Sequence, residues 1–455
     1  MEQKSLLDRL ISEKVFYKSV IALIIAMPVV ELLTEVMFRL GLDTIPSSME
    51  PYVLLLFGLF GTMLTLVYYV TAVSQKKKFR TADLFYFTLI FFMVISTIFS
   101  QSPGVFSGGD SNRFEHPMHF LAYYWLFFAG SVIDNLKYRK NILITFLSVS
   151  LLEGIFAYLQ TFNIEIAFCY LYRADRSAYG LTQNSNYYGG LCVIFVAAIA
   201  GMFIFSDSLF KSKISKFVLA ASAAFVFYTM LGSRARLAWV GFSALVVFYV
   251  ISFIVMYKKS DDKASLKPAL KRSLIIGGVF LAVFAVTFFF TDYIREVTVR
   301  SYWEIANGDT EKVGSQRIYL WKMGLESVPR FWLTGVGLDN FGYIFGVSPN
   351  FHEGMYYKDK AHNEYLQILV TQGIPALINY LSLLIFTCVG AVKNVIHESS
   401  REKRAITWIL LGAFVGYAAQ AFFNNSITYV VMHFWLIIGL LIPRTPFALL
   451  KANKK

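Results

Sequence analysis

Twelve runs of mostly apolar residues, each close to the length a helix needs to cross a bilayer, constrain this chain more than any other feature in it. In order they occupy 15–40, 51–73, 82–99, 117–133, 141–162, 186–206, 214–231, 236–257, 273–291, 374–392, 404–423 and 427–443. A hydrocarbon layer about 30 Å thick takes roughly 20 helical residues to span. Composition agrees: 56% of the 455 residues are hydrophobic and 16% charged, against about 25% charged in a soluble domain, and the mean hydropathy is +0.56. No polar block of domain size interrupts the runs. The expected fold class is therefore all-α, a polytopic transmembrane helical bundle of about twelve spans. The runs at 117 and 427 are short and are expected to tilt or to enter the layer only part of the way. The first run is too long, and too acidic at Glu31 and Glu35, to read as a cleavable signal peptide. Three cysteines, Cys169, Cys192 and Cys388, give an odd count without CxxC spacing, so neither a disulfide framework nor a zinc site is expected.

The net charge is +13, which in a soluble protein would point to nucleic acid. Here the charge alternates from loop to loop instead. Lys76, Lys77, Lys78 and Arg80 lie in one connection, and Lys137, Arg139 and Lys140 in another. Lys211, Lys213 and Lys216 mark a third, six basic residues run from Lys258 to Arg272, and Lys393 to Arg404 close the series. If all twelve runs span, these connections and both termini share one side. The excess of positive charge makes that side cytoplasmic. Twenty-eight of the 42 Lys and Arg residues fall there.

The other side is unusual in residue type. Ten of the 17 arginines lie on it or at outer span ends (Arg39, Arg113, Arg173, Arg176, Arg234, Arg236, Arg295, Arg300, Arg317, Arg330), but only 4 of the 25 lysines. The positive-inside rule treats the two alike, so the outer arginines need a separate cause. A planar, permanently charged fork suits bidentate binding of phosphate or carboxylate. For Arg39 or Arg113 the simpler account is a side chain reaching up to lipid headgroups.

One outer connection, from about Thr291 to Ala361, is far longer than the rest and rich in Trp, Tyr and Phe, which argues for an ordered, functional segment. It divides the chain into an N-terminal membrane bundle at 1–290 with spans 1–9, a large outer loop at 291–361, and C-terminal spans 10–12 with a tail at 362–455. Within the loop, 315–328 reads as a short amphipathic helix ended by Pro329, carrying Arg317 and Trp321. Residues 333–341, LTGVGLDNF, form a glycine-punctuated turn without the strand context of a dinucleotide site, and tight backbone packing explains it more economically. Then comes a helix opened by His362 and closed by Gly373-Ile-Pro375. A histidine at a helix N-terminus tends to stay neutral and able to take a proton. Two polar segments also meet apolar spans, one at Asn184-Ser-Asn186 and one at Ser233-Arg234-Ala235-Arg236. Arginines at the edge of the hydrocarbon are costly and are usually kept for a ligand or a buried partner. His116 and His119 have i, i+3 spacing, but only Glu115 stands nearby to complete a metal set, so no metal site is expected.

Taken in order, these pieces resemble the O-antigen ligase and O-antigen polymerase family of membrane glycosyltransferases. The elements are Asn184 and Asn186, the Ser233-Arg234 pair, Arg317 with Trp321, Gly335-x-Gly337-x-x-Asn340-Phe341, and His362-Asn363 followed by Leu366, Gln367 and Gly373. Where the family often has Gly after the Ser-Arg pair, this chain has Ala235 and then Arg236, which leaves open which arginine faces the substrate. The resemblance implies a GT-C-like architecture with the outer loop between spans 9 and 10. It also implies transfer of a glycan, without metal or cofactor, from an undecaprenyl diphosphate carrier to an acceptor hydroxyl on the outer face of the bacterial cytoplasmic membrane. The acceptor is lipid A core for a ligase, or a growing surface polysaccharide for a polymerase. His362 is expected as general base, Arg234, Arg317 and Arg236 as the diphosphate clamp, and Asn184, Asn186, Asn340 and Asn363 as substrate-loop contacts. Expected partners are the lipid-linked donor, the glycan or glycolipid acceptor and membrane lipids, with no nucleic acid. A polysaccharide or lipid transporter is the alternative from another class, because twelve spans is its commonest count; few intramembrane charges and no evident repeat of halves weigh against it.

Overall fold

The computed structural model describes residues 6–42, 48–101, 116–164, 176–210, 212–259, 263–306, 317–347, 359–424 and 427–444. Arg113, Glu115, Cys169 and Arg173 lie outside these. Each of the twelve apolar runs is a helix: α1 (Glu13–Arg39), α2 (Glu50–Ser74), α3 (Thr81–Ile98), α4 (Pro117–Val132), α5 (Leu136–Thr161), α6 (Ser185–Ile204), α7 (Lys213–Gly232), α8 (Arg236–Lys259) and α9 (Lys263–Phe290), followed in the outer connection by α10 (Tyr293–Ala306) and α11 (Arg317–Phe331), and then by α12 (Glu364–His397), α13 (Arg401–Gln420) and α14 (Thr428–Leu441). Ten of the twelve are long and apolar enough to cross a membrane. The other two are α4, of 16 residues, and α14, of 14, the runs expected to be short. The chain is a polytopic helical membrane protein.

The two short helices form the centre. Nearly every side chain of α4 and α14 is buried, and their backbones nearly touch: a Cβ on Gly439 would lie 2.1 Å from the Phe127 carbonyl oxygen, and one on Gly130 would lie 2.6 Å from that of Leu436. In lipid, where apolar contact between helices gains little over contact with acyl chains, close backbone approach through small residues is what holds a pair together. Helix α6 is buried almost throughout and packs on α7, α8 and α13. At the periphery, α9 turns large apolar side chains outward, with Leu274 71% and Phe290 83% exposed, as a lipid-facing helix should.

The basic connections gather at one end. Arg80 and Arg444 both donate to the Ser131 carbonyl, at 3.0 and 3.1 Å, Arg139 donates to the Leu440 carbonyl at 2.9 Å, and Arg272 pairs with Asp207 at 2.7 Å. Spending these cations on carbonyls at helix C-termini satisfies orphan acceptors and favours the negative ends of the helix dipoles.

At the opposite end a second small core forms. Leu320 and Met323 of α11, Val336, Phe341, Ile344 and Phe345 of the turn, and Leu366 and Val370 of α12 pack together. This core ties the outer connection onto the bundle. Helix α11 runs two residues past Pro329, to Phe331, where the sequence predicts a stop at the proline: its ring merely removes one backbone donor near a terminus, where the loss is small.

Candidate active site

Each of the three charged elements singled out in the sequence begins a helix at this second end. The chain leaves α7 through Ser233, whose hydroxyl bonds back to the Met230 carbonyl at 2.6 Å, and Arg234 takes a left-handed backbone (φ 58°) that lets α8 start at Arg236. The first turn of α6 packs on this corner, since a Cβ on Gly189 would lie 2.6 Å from that of Ala235. Arg317 is the first residue of α11. His362, also left-handed (φ 51°), immediately precedes Asn363, the N-cap of α12, whose side chain accepts from Leu366 N–H at 3.1 Å.

Arg317 and Arg236 lie near one another, and the segment that carries His362 is bonded to the helix of Arg317. Arg317 is held below the ordinary arginine range, first by burial and then by the positive charge of Arg236. A like charge that acts on Arg317 is close by, and two cations so placed favour an anion between them. One helical turn beyond Arg317, Trp321 donates its indole N–H to the Ala361 carbonyl at 3.0 Å, so the residue before His362 is fixed to the arginine helix. Arg234 points elsewhere: its guanidinium pairs with Glu296 of α10 at 3.3 Å, on the exposed side. Of the two arginines that the sequence leaves undecided, Arg236 is the one whose charge acts on Arg317.

The asparagines divide differently. Asn184 caps α6, accepting from Asn186 N–H at 2.9 Å, Asn363 caps α12, and Asn340 donates to the Ser100 hydroxyl at 2.9 Å. These three carry structural bonds, and Asn186 is exposed. His119 Nε2 lies 3.0 Å from the Pro51 carbonyl and its ring stands edge-on to His116 at 4.3 Å, so that nitrogen serves a backbone oxygen. Among the described residues no three His, Cys, Asp or Glu are placed to share a metal ion.

The glycine turn acts as packing. Val336 N–H donates to the Val370 carbonyl at 2.9 Å, Gly337 N–H to Thr371 at 3.0 Å and Ile374 N–H to Trp332 at 2.7 Å, and the Ser96 hydroxyl adds a bond to Thr371 at 2.7 Å. The accepting carbonyls are free because α12 breaks at Gly373 (φ 86°, ψ 173°), the point at which the sequence ends its first helix. A Cβ on Gly335 would lie 2.2 Å from the Thr371 carbonyl carbon.

Several buried polar groups at this end go unnoticed in the sequence. Glu364 accepts from the hydroxyls of Tyr380 at 2.6 Å and Tyr417 at 2.8 Å. Lys360 and Asp339 form an ion pair of 2.7 Å with both side chains 1% exposed. Asp339, Glu364, Gln367, Thr371 and Trp435 line a cavity of about 20 Å³, the size of one water. On the neighbouring side Glu153 accepts from Leu181 N–H at 2.8 Å and Gln160 from Tyr179 and Gly180 at 2.7 and 2.8 Å, fixing the loop that leads to Asn184. The available signal was position alone: carboxylates and amides inside apolar runs are retained for a partner.

Residues 221–381 match the family model Wzy_C, described as O-antigen ligase. No curated protein matches the chain. The matched stretch, which is similar to the O-antigen ligase family, takes in the Arg234 corner, Arg317, the glycine turn and the His362 half-helix.

Proposed function

We propose that this protein is a membrane glycosyltransferase that moves a glycan from undecaprenyl diphosphate to an acceptor hydroxyl, at the outer face of the bacterial cytoplasmic membrane, with both termini in the cytoplasm. The observation that carries the reading is the convergence of Arg236 and Arg317, each the first residue of a helix, with Arg317 held down by the charge of Arg236. Two guanidiniums, one of them at the N-terminus of α8, make a strongly anion-seeking place, which suits a diphosphate whose charge grows as it departs. His362, tied to the same helix through Ala361 and Trp321, is the general base.

In the reaction the acceptor oxygen forms a bond to the anomeric carbon as the bond from that carbon to the diphosphate oxygen breaks. The electron pair leaves on the diphosphate, between the two arginines, and the hydroxyl proton passes to His362. A base and a clamp on opposite faces of the carbon give in-line displacement and inverted configuration. Arg234, paired with Glu296, belongs to the rim and meets the donor only if that pair opens. Fixed donors aimed at developing charge are worth about 10² to 10³ in rate, and a positioned base about 10² to 10⁴.

The test is reconstitution in liposomes with an undecaprenyl diphosphate-linked repeat unit and candidate acceptors. Transfer is expected from the wild-type chain and is expected to collapse in His362→Ala and Arg317→Ala. Unchanged transfer in both variants would sink the assignment, and movement of lipid across the bilayer without transfer would favour a transporter. Ladders of product length mark a polymerase, single additions a ligase.

A further inference from the structure

We propose that the buried Asp339–Lys360 ion pair is a positioning device that holds His362 in its left-handed backbone and so sets the direction of its imidazole; this rests on the reading of His362 as the base. A non-glycine residue at φ 51° is costly and persists only where its neighbours over-determine it. After His362, Asn363 caps α12 and Glu364 is held by Tyr380 and Tyr417. Before it, the Ala361 carbonyl accepts from Trp321 and its N–H donates to Gln367 Oε1 at 2.9 Å. Lys360 completes the set by reaching to Asp339 at 2.7 Å.

Asp339 is a fixed point. It sits at φ 57° in the turn, two residues after Gly337, whose N–H is bonded to Thr371, so the carboxylate is registered against the broken helix that carries His362. The chain thus closes a ring from α12 through the turn to Asp339, across the ion pair to Lys360, and back to His362. Withdrawing two charges from water is a poor source of stability, and such pairs are better explained where they fix one conformation. Here the conformation fixed is that of the peptide beside the base.

The experiment compares steady-state transfer by the full-length protein in liposomes, using the undecaprenyl diphosphate-linked repeat unit. The double variant Asp339→Asn with Lys360→Met removes the pair without leaving one buried charge alone. Its kcat is expected to fall about tenfold to a hundredfold, the range for a reacting group displaced by about 1 Å, with donor KM within about twofold and the acid limb of the pH profile unmoved. Lys360→Arg keeps charge and fold but alters reach, and a smaller fall in kcat at constant KM is expected. Wild-type kcat in both variants, a rise in KM alone, or a shifted acid limb would each overturn the proposal. If His362→Ala is itself fully active, the base assignment fails and the pair has nothing to position. If His362→Ala is inactive while both pair variants turn over normally, only the positioning role is lost.

Discussion

Arg317 and Arg236 are worth more together than their separate positions suggest, because each lowers the cost of an anion and raises the cost of leaving the site empty of one. Burial and the charge of Arg236 both press on Arg317, yet an arginine tolerates that pressure and stays charged. A lysine would not, since it starts from about 10.4 and is pushed in the same direction. Arg317→Lys is therefore expected to lose about tenfold in transfer near neutral pH through the lost fork. It should lose progressively more as pH rises, because the lysine deprotonates there while the wild-type arginine does not. Rate against pH for the two proteins checks this; parallel profiles would contradict the shared site. His362→Ala is expected to cost about 10² to 10⁴ in kcat with little change in donor KM. The arginines proposed for the diphosphate stand out in the sequence because arginine on the side expected to face outward has no topological reason to gather there. The pairing of Arg234 with Glu296 is not legible there, since it turns on a left-handed residue and on a helix sixty residues away.

At the scale of elements, the half-helix from Glu364 to the break at Gly373 is the part on which the candidate site depends. Its carbonyls at Val370 and Thr371 receive the glycine turn, and its first residues carry His362 and the cap. Gly373→Ala would place a Cβ 2.6 Å from the Leu333 carbonyl carbon at a φ that alanine rarely adopts. A loss of about 1 to 3 kcal/mol in stability is expected, read as a lowered thermal midpoint in detergent, and transfer should fall with it. Gly41, also at positive φ, has open space around it, so Gly41→Ala should cost only the backbone term. The break itself was readable from Gly373-Ile-Pro375, because glycine and proline together punctuate a helix. The Asp339–Lys360 pair was not, because a charge in a loop carries no mark of being buried.

Over the whole molecule, the basic connections meet at one end and the candidate site lies at the other. This arrangement fixes which surfaces face which compartment once either is known. In a chain whose three cysteines are replaced, a cysteine in place of Lys77 is expected to react with a membrane-impermeant maleimide only after spheroplasts are opened, and one in place of Trp332 before. The reverse pattern would invert the protein in the membrane. The apolar helices were legible because apolar length is a local property, although ten rather than twelve are long enough to cross; the central place of the two shortest depends on glycines that meet across the bundle.

Those two short helices have a consequence for depth. At 16 and 14 residues and 1.5 Å per residue, α4 and α14 reach about 24 and 21 Å, well short of a layer about 30 Å thick. Both are anchored flush at the basic end, by Arg80 and Arg444 on Ser131 and by Arg139 on Leu440. Set against that layer, the shortfall of both helices lies at the end away from these arginines. At that end Trp435 of α14 and Glu364 of α12 face the same small cavity. On the proposed reaction, helices this short at the centre let a carrier lipid present its diphosphate without leaving its leaflet.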